Sequence, residues 1–245
     1  MAKQRYLQNA PITEALIDFR VILPSEFDPQ TFSDLEIKLS TKYPQKEPLR
    51  LVTGKFGIEA GKPINITEDK GIQGYLYKSE DGKNIAQFRA DGLTYNRLKP
   101  YTSWDEVIAE AKYLWELYKG TARPQLITRI AVRYINHLTI PADFSDYITN
   151  PPIIPEGIPQ TISSFLTRIV IQDLDREIAA NITKALEKSI EPNYITIILD
   201  IDVYKQQDFS PNDNETIWNT FTRMRELKNL IFFNSITEKT AEKYK

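Results

Sequence analysis

The chain has 245 residues, of which 41% are hydrophobic, and a formal net charge of -2, so it can bury the core of one large domain or of two small ones. With no cysteine it lacks disulfides, thiolate metal sites and cysteine nucleophiles. Its 1 histidine, His137, excludes sites that need two imidazoles and argues against a hydrolase triad.

Charge is spread evenly. Up to Ala122 there are 17 basic and 17 acidic residues, and beyond it 14 and 16, so neither half is the polycation that non-specific nucleic-acid binding needs. Only 9 glycines occur, none after Gly157, and no phosphate loop or G-x-G-x-x-G is present, which argues against nucleotide or dinucleotide cofactors. Met1 to Ile17 is interrupted by Lys3, Arg5 and Glu14 and lacks a signal-peptide core, and no window of 18 uncharged apolar residues follows. A cytoplasmic protein without membrane association is expected.

In chain order, Glu14 to Leu23 reads as a strand stopped by Pro24, followed by a helix from Pro29 to Thr41. Extended segments are expected at Leu51 to Ala60, Gly74 to Lys78 and Asn84 to Tyr95, with Gly61, Asp81-Gly82 and Asp91-Gly92 as turn or bulge signals. A long helix then starts at Ser103, whose side chain and that of Glu106 form a capping box. Its apolar residues Trp104, Val107, Ile108, Ala111, Leu114, Trp115 and Tyr118 recur at helical period.

Ile127 to Ile140 opens the second half as a strand ending at Pro141, with Ala-Asp-Phe-Ser-Asp behind it. Pro141, Pro151, Pro152, Pro155 and Pro159 then make a stiff surface excursion, either a plain connection or a partner-docking loop. Strands at Ser163 to Leu174, Glu177 to Lys184 and Tyr194 to Tyr204 precede a second long helix from about Glu215, with Ile217, Trp218, Phe221, Met224, Leu227 and Leu230 on its apolar face. The three tryptophans thus read as core anchors. The dense run Leu230-Ile231-Phe232-Phe233 needs cover from another element or from a second copy of the chain, and the tail from Thr237 reads as a short solvated helix.

Both halves therefore read as strand, helix, several strands, long helix. Pro24 to Pro141 is 117 positions, Trp104 to Trp218 is 114 and Tyr95 to Tyr204 is 109, offsets that suggest a duplication. The fold class expected is α+β, with two pseudo-symmetric halves, 1–122 and 123–245, sharing an antiparallel sheet with helices packed on one face as one continuous domain. Two separately folded domains are the alternative.

Three blocks carry a family resemblance: Asn9-Ala10-Pro11-Ile12-Thr13-Glu14-Ala15, Tyr101-Thr102-Ser103-Trp104, and Arg129-Ile130-Ala131-Val132-Arg133-Tyr134-Ile135-Asn136. In their order they resemble a sporadically distributed bacterial family of uncharacterised proteins of about this length. The resemblance covers nearly the whole chain and implies a bacterial, cytoplasmic origin, but no reaction.

Alternation along Thr128 to Ile140 puts Ile130, Val132, Tyr134, Leu138 and Ile140 on one side and Arg129, Arg133 and His137 on the other, each about 13 Å from the next. In Tyr194 to Tyr204, Thr196, Asp200 and Asp202 share the polar side. If the two strands are neighbours, the simplest reading is a cross-strand ladder of Arg129 and Arg133 with Asp200 and Asp202.

The functional reading makes that face a platform for a small anionic ligand or a protein, with Arg129, Arg133, Asn136, His137, Asp200 and Asp202 as candidates and Asp18, Arg20, Gln87 and Arg89 as contributors from the first half. The function expected is a non-enzymatic binding or regulatory module that uses the open sheet face or a helix surface, without cofactor or resident metal.

The alternative is a divalent-metal-dependent hydrolase or nuclease built on Asp200 and Asp202, about 6.7 Å apart along the strand; Asp173-x-Asp175 has the same spacing, and Glu68-x-Lys70, in an apparent turn, is the E-x-K that a nuclease would also want. A third reading stacks nucleic-acid bases on Tyr95 and Tyr204.

Overall fold

A computed structural model describes residues 1–59, 62–188 and 193–245. Its strands are β1 (Ile12–Ile22), β2 (Gln45–Glu59), β3 (Lys62–Lys78), β4 (Asn84–Arg89), β5 (Gly92–Leu98), β6 (Leu126–Pro141), β7 (Leu166–Asp173), β8 (Ile178–Lys188) and β9 (Tyr194–Phe209). They form one antiparallel sheet in the order β2-β3-β4-β5-β1-β6-β9-β8-β7. A 3-10 turn (Pro29–Leu35) and α1 (Glu36–Leu39) follow β1, α2 (Trp104–Ala122) follows β5, and α3 (Asn214–Ser235) and α4 (Glu238–Lys243) follow β9. The fold is α+β.

The two long helices start where their sequences provide caps. Ser103 Oγ accepts from the Glu106 amide at 3.2 Å, and an Asp213 carboxylate oxygen accepts from the Thr216 amide at 3.1 Å, each satisfying a first-turn donor. Both helices lie on the same side of the sheet, where Phe19 of β1 meets them at once. Its ring stacks on Trp115 of α2 at 4.2 Å and meets Phe221 of α3 edge-on at 5.2 Å. Around it, Ile17, Ile130, Val132, Leu199 and Ile201 close the core under the helices.

Strands β1 and β6 join residues before and after Ala122 by direct pairing, for example Ile17 opposite Val132 and Phe19 opposite Ile130. On the other flank β1 pairs with β5, and there Gly92 faces Arg20 at φ +150. A Cβ on Gly92 would lie 1.8 Å from the Phe19 carbonyl oxygen, so the approach of β5 to β1 tolerates no side chain.

Several expected boundaries move. Asp91-Gly92 divides the segment Asn84 to Tyr95 into β4 and β5, and the strands run past Tyr95 and Tyr204 to Leu98 and Phe209. The helix expected from Pro29 to Thr41 is mostly a 3-10 turn, with only Glu36–Leu39 α-helical. Its counterpart in the second half does not form: residues 142–165 are turns and irregular chain, as prolines without amide donors require. Glu68 and Lys70 lie within β3, not in a turn. Ala60 and the turn signal Gly61 fall outside the described residues.

The run Ile231, Phe232 and Phe233 is buried within its own chain, while Leu230 is exposed. Part of its cover is the arm ahead of β1, whose Ala2 amide donates to the Phe233 and Ile236 carbonyls. The tail helix α4 is less solvated than its composition suggests, since Thr240 and Ala241 are buried. No helix among the described residues is long and apolar enough to cross a membrane.

Gly92→Ala is expected to destabilise the fold by about 2 kcal/mol or more through strand displacement. Gly120→Ala, in α2 with open space where its Cβ would go, is expected to stabilise it by about 0.5–1 kcal/mol. Urea unfolding midpoints of the two variants, moving in opposite directions, check both.

Candidate functional site

The sheet has two polar regions worth testing as sites. The first is the face away from the helices. There Arg133 donates to both oxygens of Asp200, at 2.9 and 2.6 Å, and Arg129 donates to Asp202 at 3.0 Å and to Asp18 at 3.2 Å. The register sets Arg133 opposite Asp202, so these are diagonal pairs, reached by the long arginine side chains. Hydrogen bonding to Asp200 raises the Arg133 guanidinium further above its ordinary value.

The first-half residues Asp18, Arg20, Gln87 and Arg89 join the same network. Asp18 is buried and accepts from Thr94 at 2.6 Å and from Arg20 Nε at 3.1 Å, while Arg89 donates to Thr94 and to Gln87. Asn181 of β8 donates to Asp202. Each of Arg20, Arg89, Arg129 and Arg133 already has a carboxylate within ion-pair distance. A ligand anion arriving here has to displace an existing partner, and a metal has to compete with arginine for both Asp200 and Asp202.

No group of three or more His, Asp or Glu residues suited to a metal ion occurs among the described residues. Glu68 lies on β3, five strand positions from β9, or about 24 Å across the sheet. Asp173 is held by Arg176 at 2.6 Å.

The remaining candidates separate. His137 stays on the arginine side but lies near one end of β6, in an open hollow with Lys99, Tyr194 and Lys243. Asn136 points to the helix side, is buried, and donates to the Leu199 carbonyl at 2.9 Å. It is therefore not part of the arginine platform. Tyr95 pairs opposite Ile17 and is buried on the helix side, whereas Tyr204 lies beside Arg129, 4.9 Å from its guanidinium carbon. The two tyrosines proposed to stack bases face opposite ways.

The second region is a cavity of about 530 Å³ on the helix side. Its wall combines the arm ahead of β1 (Arg5, Leu7), the start of α2 (Ser103, Trp104), Asn136, and the second half of α3 (Arg225, Lys228). Among its lining residues, Arg5, Arg225 and Lys228 face only one carboxylate, Asp105. Arg5 is drawn to α4 by Glu238 and Glu242, at 2.7 and 2.8 Å, while its Nε is buried without an acceptor. The Arg225 guanidinium packs over the Trp104 ring.

Lys228 is the unusual group. It is only 9% exposed, has no hydrogen-bond or ion-pair partner among the described residues, and holds its Nζ 3.9 Å from the centre of the Tyr134 ring. Burial, with the charge of Arg225 adding to it, lowers its ammonium from 10.5 to about 7. Burial also pushes the Tyr101 and Tyr134 phenols up, and their hydroxyls lie 3.2 Å apart. A buried cation beside an arginine, with no carboxylate to neutralise it, is costly unless something outside the chain satisfies it.

No protein-family model matches the chain, and no curated protein is similar to it. The site therefore rests on its own geometry. Lys228 escaped the candidate residues, although the sequence carries a signal for it: Ile217, Phe221, Met224, Lys228 and Ile231 share one helical stripe, and one position of that buried stripe is a cation.

Because its native pKa lies below the unfolded value, Lys228 costs stability most below pH 7, and the cost fades as pH rises from 7 toward 10.5. Lys228→Met is thus expected to stabilise the empty protein, by roughly 2–3 kcal/mol more at pH 6 than at pH 9. Denaturant unfolding of both proteins at the two pH values measures the difference.

Proposed function

We propose that the protein is a non-enzymatic binding module that takes a small anionic ligand into the cavity between the arm, α2 and α3. The observation that carries this reading is Lys228, a largely buried lysine without a counter-charge among the described residues, on the wall of a cavity that also presents Arg225. An entering carboxylate or phosphate supplies the missing charge and takes hydrogen bonds from lysine and arginine. Asn229 and Ser103 offer further polar groups on the wall. The arginine face offers less, since its guanidinium groups already hold carboxylates.

The fold is consistent with the duplicated plan read from the sequence, and we carry that plan forward as part of the proposal. From the central pair β1 and β6, the order runs outward as β5, β4, β3, β2 on one side and β9, β8, β7 on the other, with β2 the strand that has no counterpart. That mirrored numbering supports two related halves meeting at the sheet centre. The cavity breaks the mirror, because the arm that walls it belongs to the first half alone.

Binding is tested by thermal unfolding with inorganic phosphate and with malonate at pH 7. Each kcal/mol of binding free energy is expected to raise the Tm by about 2–4 °C. Lys228→Met and Arg225→Gln are expected to lose the rise, and Arg133→Ala to keep it. Loss of the rise in Arg133→Ala with retention in Lys228→Met would place the ligand on the sheet face and overturn the proposal.

A further inference from the structure

An arginine at position 228 would bind an anion at least as well as a lysine, and it would stay charged when buried. What lysine adds is a primary amine able to lose its proton. Here that amine lies at a cavity wall, packed over the Tyr134 ring, with no carboxylate or carbonyl bonded to it among the described residues. Arg225 stands one helical turn before it and also lines the cavity.

We propose that Lys228 captures carbonyl compounds, forming an imine with a small aldehyde or 2-oxo acid whose anionic group is held by Arg225. This rests on the anion-binding reading and names the chemical class of its ligand.

The step balances within the two reactants. The amine lone pair attacks the carbonyl carbon, a C–N bond forms, and the carbonyl π pair moves to oxygen. Two protons leave the nitrogen and depart with that oxygen as water, leaving C=N. One amine and one carbonyl give one imine and one water, with no oxidant or reductant.

A desolvated lysine next to another cation is a recognised way to make an amine nucleophilic at neutral pH. The cavity wall around it carries Arg225 on its own helix, Arg5 and the Tyr6 phenol from the arm, Asp105 from the start of α2 and the Tyr101 phenol, with the Tyr134 ring beneath the amine. Arg225 is the charge that acts on Lys228, and it favours loss of the proton. The cavity, about 530 Å³, has room for a ligand of a dozen or so heavy atoms.

The test treats the full chain at pH 7 with glyoxylate and cyanoborohydride, which reduces an imine to a stable carboxymethyl-lysine, and maps the label by peptide mass. Lys228 is expected to be labelled at least about ten-fold faster than the exposed Lys38. Arg225→Gln should slow labelling by glyoxylate several-fold more than labelling by acetaldehyde, which has no anionic group and loses only the help that the Arg225 charge gives to deprotonation.

Labelling of Lys228 no faster than of Lys38 would overturn carbonyl capture. If phosphate still raised the Tm in a Lys228-dependent way, the anion-binding reading would survive alone; if it did not, both would fall. Lys228→Arg, which retains the cation, should keep the phosphate response and lose only the site-specific label.

Discussion

The ring of Phe19 carries the organisation of the molecule. It lies on β1, the strand that joins the two parts of the sheet, and it is the point at which α2 and α3 both reach that strand. The parallel stack with Trp115 and the edge contact with Phe221 bury three large aromatic surfaces in one place, and loss of a ring at such a position costs about 3–5 kcal/mol. On the same strand, the Phe19 carbonyl comes so close to Gly92, the partner of Arg20 on β5, that no side chain fits there. Helix placement and strand spacing thus meet in one residue. The cavity lies where the arm, the start of α2 and the second half of α3 meet over Asn136 of β6.

The two faces of the sheet handle charge differently. Away from the helices, Asp18 is buried but surrounded by arginine and threonine donors, and Asp200 and Asp202 are matched in the same way. Such a network pairs its charges and resists replacement, because removing one partner strands the other, although Arg89 Nη2 is buried without a hydrogen bond and only 3.6 Å from Asp18. On the helix side Lys228 has no such partner among the described residues. Its environment lowers the ammonium to about 7. The contrast is one of solvation: a satisfied ion pair stiffens a surface, while an unsatisfied buried cation stores free energy that a ligand can release.

Much of the architecture was legible because it is written in local pattern. Ser103 followed by Glu106 marks a helix start, the 3.6 period from Trp104 to Tyr118 marks its buried face, and alternation in Arg129 to Ile140 separates arginines from aliphatics. The arginine and aspartate strands, whose adjacency the alternation leaves as a condition, lie side by side. What could not be read was whatever depends on pairing between distant segments. Whether Tyr95 faces the same way as Tyr204 is set by register through β5, β1, β6 and β9. Analogy with the first half suggested a helix after Pro141, but the prolines that follow remove the amide donors such a helix would need. The cavity was hidden for the same reason, since Arg5, Ser103, Asn136 and Lys228 are separated by most of the chain.

The arm ahead of β1 closes the cavity and is itself fastened by Arg5 to Glu238 and Glu242 on α4. These charges are partly exposed, so added salt weakens the clasp while leaving the aromatic core nearly untouched. For the ligand proposed here, arm docking and occupancy would be linked, and the linkage would be reciprocal: a ligand that held the arm down would also hold α4, and ions that loosened α4 would favour release. The last turn of the chain becomes a remote handle on the cavity, working through a few ångströms of solvent-accessible charge.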